Sequence, residues 1–152
     1  MSYAFAVTRP VNPPGAEPAI TEEQLWKGLQ YKARYPSAFV PMITSCKVVS
    51  DEGNKLVREV TFGNSPEVVT ETVEAHEATI VYFEMNTGIR VTNMVSYGPA
   101  DEILLTYGFA NGIPGVDAGS PKPSAKELNA RVGKGVEGSI AVVRQMVKEG
   151  KL

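Results

Sequence analysis

Residues 79–97 read Thr79-Ile80-Val81-Tyr82-Phe83-Glu84-Met85-Asn86-Thr87-Gly88-Ile89-Arg90-Val91-Thr92-Asn93-Met94-Val95-Ser96-Tyr97. Large apolar side chains recur at every second position on both sides of Asn86-Thr87-Gly88. That is the pattern of two antiparallel strands joined by a tight turn. The same period of two extends outward in both directions and predicts strands at 42–50, 55–63, 67–75, 79–86, 89–97 and 102–110. The separators are turn formers: Asp51-Glu52-Gly53-Asn54, Asn64-Ser65-Pro66 and Gly98-Pro99-Ala100-Asp101. Connections this short join antiparallel neighbours, so the six strands form a meander.

Before the meander, Tyr3-Ala4-Phe5-Ala6-Val7-Thr8 alternates as a further strand. It is stopped by the proline-rich run Arg9-Pro10-Val11-Asn12-Pro13-Pro14-Gly15. Thr21 with Gln24 spells a capping box, and Leu25, Trp26 and Leu29 share one helical face, with Pro36 closing that helix near Tyr35. Phe39-Val40-Pro41 is placed to hold one more helical turn. After the meander, 111–123 is a loop by composition. Ser124 and Glu127 then form a second capping box, and Leu128, Val132, Val136, Ile140, Val143 and Val147 recur at three- and four-residue steps up to Gly150 at the C-cap.

One long amphipathic helix is the natural cover for the apolar face of a seven-stranded sheet. The fold class is therefore α+β: a curved antiparallel sheet wrapped around a long C-terminal helix, with one or two short helices between the first and second strands. The whole chain, 1–152, is expected to be one domain of this kind. Gly133, Gly135 and Gly138 fall in the middle of the long helix, each costing up to about 1 kcal/mol against alanine. Two readings stand for them: close packing of helix on sheet, or room left for a ligand.

Composition narrows the function classes. The 152 residues are 43% hydrophobic and 21% charged, which excludes disorder as the dominant state. Fifteen Lys plus Arg against 17 Asp plus Glu leave no net field for binding nucleic acid, and no run approaches the ~18 apolar residues of a membrane span. A single cysteine, Cys46, forms no internal disulfide, and Met1-Ser2-Tyr3-Ala4-Phe5 is no signal peptide, so a reduced, cytoplasmic setting is expected. The chain carries no GxGxxG, P-loop, HExxH, CxxC or GxSxG motif, and no cofactor or metal is implied.

Several polar residues share parity with the apolar face. Arg58 stands with Leu56, Val60 and Phe62; Glu71 with Val69, Val73 and Ala75; Asn93 and Tyr97 with Val91 and Val95; Tyr107 with Leu105 and Phe109. Closing every turn tightly predicts one row Arg58, Val73, Val81, Asn93, Tyr107 and a second row Val60, Glu71, Phe83, Val91, Phe109. Arg58 and Glu71 are then diagonal neighbours. Two readings follow. In the first, Arg58 and Glu71 are a buried ion pair, with Asn93 and Tyr107 meeting water or backbone. In the second, Arg58 and Asn93 orient a carbonyl, carboxylate or phenolate and Glu71 moves protons. The ligand-binding set is Arg58, Asn93, Tyr107, Phe83, Val91 and Phe109 from the sheet with Val136 and Ile140 from the helix. Glu71 and Arg58 are the catalytic candidates. His76 reads as a surface turn residue, Cys46 as a small core residue or one on the other face, Tyr82 and Glu84 as outer-face residues, and Asp101-Glu102 as a solvated turn.

Local wording carries a resemblance. Val11-Asn12-Pro13-Pro14, Leu25-Trp26-Lys27-Gly28-Leu29, Phe39-Val40-Pro41 with Thr44-Ser45-Cys46, Arg58 to Gly63, Thr92-Asn93 and Val143 to Val147 resemble the AtaL-like family of the START-like, or SRPBCC, helix-grip superfamily. The resemblance covers essentially the whole chain and implies the helix-grip fold. Superfamily relatives bind apolar small molecules, carry lipids or act as cofactor-free cyclases on polyketides, and some family members are associated with fungal secondary metabolism. The expected partner is thus a small hydrophobic or aromatic molecule held between sheet and helix, with the chain a monomer or homodimer. A cofactor-independent cyclase, isomerase or lyase working in the same cavity is the alternative.

Overall fold

The computed structural model describes residues 4–114, 116 and 119–152. Tyr3, at the start of the first strand expected from sequence, and Gly115, Asp117 and Ala118 of the composition-defined loop lie outside the described residues. The elements are β1 (Phe5–Pro10), α1 (Glu22–Arg34), a 3₁₀ turn (Pro36–Ala38), β2 (Ile43–Asp51), β3 (Lys55–Phe62), β4 (Val69–His76), β5 (Ile80–Met85), β6 (Arg90–Tyr97), β7 (Ile103–Ala110) and α2 (Ala125–Lys148). The strands make one antiparallel sheet in the order β1-β7-β6-β5-β4-β3-β2, so β1 pairs with β7 and the rest is a meander. α2 packs against β1, β7 and α1. This is the helix-grip arrangement.

Both capping boxes form. The Thr21 and Ser124 hydroxyls accept from the amides of Gln24 and Glu127, whose side chains accept in return from the cap amides. At the other end of α2 the cap is Glu149, one residue before the glycine. Gly150 takes φ +73° just beyond it, and Lys151 and Gly150 donate back to Met146 and Val147 in a Schellman motif. The extra helical turn lies at Pro36–Ala38, three residues before the Phe39-Val40-Pro41 knot, because Pro36 fits the first position of a helical turn.

The register departs from the tight-turn expectation in two places. Between β5, β6 and β7 the pairs are as read, with Val81 opposite Asn93 and Asn93 opposite Tyr107. Between β3 and β4, and between β4 and β5, the pairing is slipped by two residues, and Arg58 sits directly opposite Glu71. The first slip comes from a longer connection: Gly63 turns at φ +53° and Pro66 has no amide to donate to a ladder, so β4 begins only at Val69. A slip of two keeps every side chain on its predicted face. β2 is bulged between Ile43 and Ser45, which exchanges its faces: Ile43 is buried and Cys46 packs against the core, while Met42 and Thr44 are exposed. Tyr97 also departs from expectation. At the end of β6 it is half exposed and its hydroxyl donates to Glu22.

Candidate functional site

α1 determines what the polar residues of the sheet can do. Leu25 and Leu29 fix its buried face, and the next position on that stripe is Lys32. The helix ends over β3 and β4, where its last carbonyls need donors. Arg58 supplies them: Nη1 donates to the carbonyls of Ala33 (2.7 Å) and Lys32 (3.3 Å). Its Nε and Nη2 both donate to Glu71 Oε1, at 3.2 and 3.0 Å. Arg58 and Glu71 are 3% and 1% exposed, so this is a buried ion pair that ties the end of α1 to the sheet. Four of the five guanidinium N–H groups are committed. Glu71 Oε2 accepts no hydrogen bond from the described residues.

Lys32 is the residue that sequence reasoning missed. It is 5% exposed; its Nζ donates to Asn93 Oδ1 at 2.8 Å and lies 4.2 Å from the centre of the Tyr107 ring and 5.1 Å from that of Phe83. Burial, reinforced by the Arg58 guanidinium and opposed by Glu71, lowers its pKa from 10.5 to about 7. Its signal was its place on the apolar stripe of α1, three residues after Leu29. Tyr107 is buried too, and burial pushes its phenol well above its usual range, with the Ser139 hydroxyl offsetting little of that. Asn93 Nδ2 is buried with no hydrogen-bond partner among the described residues, and the neighbouring hydroxyls of Tyr107 and Ser139 are buried without closing a full hydrogen bond to each other or to another described residue.

A cavity of about 510 Å³ opens between the sheet, α2 and the segment after α1. Its polar wall is Lys32, Arg58, Glu71, Tyr107, Arg131 and Ser139. The rest is largely apolar, including Phe83, Val91 and Phe109 from the sheet and Ile113 from the following loop. Of the residues singled out from sequence, Arg58, Glu71, Tyr107, Phe83, Val91 and Phe109 stand on this wall. Asn93, Val136 and Ile140 are buried but do not, which corrects their expected placement. Asn93 lies behind Lys32. Val136 and Ile140 belong to the stripe of α2 that fills the core and reaches the cavity only at Val132, whereas the neighbouring stripe of Arg131, Gly135 and Ser139, one turn apart from each other, lines it.

The three helix glycines divide accordingly. A Cβ at Gly133 would fall 1.9 Å from Arg9 Nη2, so this glycine admits the guanidinium that holds Asn129. A Cβ at Gly135 or Gly138 would meet nothing within 4 Å, and Gly135 faces the cavity. Close packing explains the first and open space the second.

The remaining candidates lie elsewhere. His76 is exposed beside Glu74 and meets Tyr82 edge-on. Cys46 is half-buried with its thiol toward the Arg34 carbonyl, and burial raises its pKa, which disfavours the thiolate. Glu84 pairs with Arg90 on the outer face. Among the described residues no helix is long and apolar enough to cross a membrane.

Solved structures resemble this chain in fold at low sequence identity. The di-domain ARO/CYC StfQ from the steffimycin biosynthetic pathway aligns with a TM-score of 0.65 and 11% identity over 96% of this chain and 51% of that one. The di-domain ARO/CYC BexL from the BE-7585A biosynthetic pathway gives 0.59 and 9% over 95% and 49%. Ara h 8.0201 gives 0.58 and 14% over 98% and 99%. This chain thus spans about half the length of the two di-domain proteins. No curated protein matches it. Residues 5–150 match the family model described as AtaL, acetylaranotin biosynthesis cluster protein L, and the chain belongs to that family.

Proposed function

We propose that the chain, as one domain over 1–152, binds a small hydrophobic or aromatic, polyketide-like molecule in the cavity between its sheet and α2, in secondary metabolism. The observation that carries this reading is the cavity wall itself. It is apolar but for a few polar groups, and two of these, the neighbouring hydroxyls of Tyr107 and Ser139, are buried and close no full hydrogen bond among the described residues. An apolar space with unpaired hydroxyls favours a guest that brings its own oxygen. The family's association with a biosynthetic cluster and the fold shared with ARO/CYC proteins support the substrate class. The proposed setting is cytoplasmic, with the chain a monomer or a homodimer. Titration with an anthraquinone bearing phenolic hydroxyls, followed by fluorescence and native mass spectrometry, should give a saturable one-to-one complex that is tighter than with anthracene. Absence of a complex, or equal affinity for the two, contradicts the reading.

A second reading is favoured by Glu71 Oε2, which no described side chain engages on the cavity wall. In it the protein is a cofactor-independent cyclase, isomerase or lyase, in which Glu71 transfers a proton while the cavity holds the guest in a reactive shape. Glu71→Gln should then suppress turnover at least ten-fold and leave affinity within a few-fold; unchanged turnover removes Glu71 from the chemistry.

A further inference from the structure

The geometry points to Lys32 as a covalent site: its amine condenses with a ketone carbonyl of the cavity's guest to form an imine, or the enaminone if the guest is a 1,3-diketone. This rests on the binding reading above and adds the functional group by which the guest is held.

Three observations place the chemistry at Lys32. Its side chain lines the cavity, 5% exposed, in a wall that is otherwise mostly apolar. Among the described residues its one hydrogen-bonding partner is an amide oxygen, Asn93 Oδ1 at 2.8 Å, and none of their carboxylates forms an ion pair with it. A neutral amine needs just such an arrangement, with one N–H held by an acceptor and the lone pair left for a guest. The nearby carboxylate, Glu71, is taken by the Arg58 guanidinium, so the Lys32 amine has no counter-charge of its own among the described residues. A lysine desolvated beside another cation is the usual way to obtain a nucleophilic amine near neutral pH. The groups facing it are Arg58 on β3, Glu71 on β4, the Tyr107 phenol on β7 and, from α2, Ser139 and Arg131 on the cavity wall. Burial, reinforced by the Arg58 guanidinium and opposed by Glu71, lowers its pKa to about 7.

The step balances without a co-reactant. The amine nitrogen bonds to the carbonyl carbon, whose π pair moves to oxygen. The C–O bond then breaks, and the oxygen leaves as water with the two protons that nitrogen gives up. The Tyr107 and Ser139 hydroxyls are the unpaired donors the cavity offers to that oxygen. In a 1,3-diketone one proton then shifts from the central carbon to nitrogen. Asn93, which touches the amine and not the cavity, is a positioning residue.

Benzoylacetone, an apolar aromatic 1,3-diketone, is the probe, with displacement of 1-anilinonaphthalene-8-sulfonate reporting cavity occupancy and peptide mass mapping reporting the adduct. At pH 7.5 Lys32 should gain the probe less one water at least about ten-fold faster than the exposed Lys47 and Lys55. The rate should rise with a midpoint near pH 7, and Lys32→Met should lack the fast adduct. Dye displacement with Lys32 labelled no faster than Lys47 overturns the covalent site and leaves the binding reading standing. Neither displacement nor labelling overturns both.

Discussion

Arg58 stands directly opposite Glu71 across β3 and β4, with Nη2 3.0 Å from Oε1 and Nη1 on the last carbonyls of α1. Both side chains are almost wholly buried, so neither tolerates losing its partner. Arg58→Met strands a carboxylate and should cost about 3–5 kcal/mol. Adding Glu71→Met should restore much of that loss, because two apolar side chains replace two charges. Urea unfolding of the two singles and the double measures the coupling; additive losses would show that the pair is not acting as one.

Lys32 makes stability depend on pH. In the unfolded chain its amine keeps the proton up to about 10.5, but in the fold only up to about 7. Between those values the unfolded state binds more protons, so stability from this group rises with pH; below 7 the cost of a buried charge is present in full. Lys32→Met removes that cost. Its advantage over the parent chain should be largest at pH 6 and shrink by about 2–3 kcal/mol by pH 9, read as the gap between two denaturant curves. A gap independent of pH contradicts the lowered pKa.

Two glycines should respond with opposite sign. A Cβ at Gly28 would lie 2.6 Å from Val143 Cγ2, a stiff branched side chain in the contact of α1 with α2. Gly28→Ala should therefore cost about 1–3 kcal/mol. At Gly138 nothing lies within 4 Å, and Gly138→Ala should gain about 0.5–1 kcal/mol from helix propensity alone. Thermal melts of the two variants decide this.

Tyr107 and Ser139 bear on ligand choice more than on folding. Their hydroxyls are buried and close no full hydrogen bond among the described residues, so Tyr107→Phe and Ser139→Ala should change stability little. Each should narrow the preference for a hydroxylated guest over its hydrocarbon counterpart by about 1 kcal/mol, roughly five-fold in the ratio of dissociation constants. An unchanged ratio in both variants places the guest's oxygens elsewhere.

The fold was largely legible because its signals are local. Turn formers at Asn86-Thr87-Gly88 and Gly98 to Asp101 set the register of β5, β6 and β7, and the apolar stripe from Leu128 to Val143 marked the long helix. Register failed where a turn was not tight. Gly63 and Pro66 lengthen the β3–β4 connection, which moved Glu71 from a diagonal to a direct partner of Arg58. The cavity-facing parity of Arg58, Glu71 and Tyr107 survived, since a two-residue slip leaves faces intact. Lys32 was hidden because a lysine in a helix ordinarily reads as solvated surface, and only tertiary packing puts this one under the sheet. Val136 and Ile140 illustrate the converse: periodicity shows that a helix face is buried but not whether it meets core or cavity.

Binding in the cavity is tested most directly by filling it from Gly135, where an added Cβ meets nothing within 4 Å. Dissociation constants for an apolar aromatic dye would be compared among the parent chain, Gly135→Phe and, as a control away from the cavity wall, Gly138→Phe. Saturable binding by the parent and by Gly138→Phe, weakened at least ten-fold in Gly135→Phe with its circular dichroism unchanged, is the predicted result. Equal affinity in all three would place the guest outside this cavity and contradict the account.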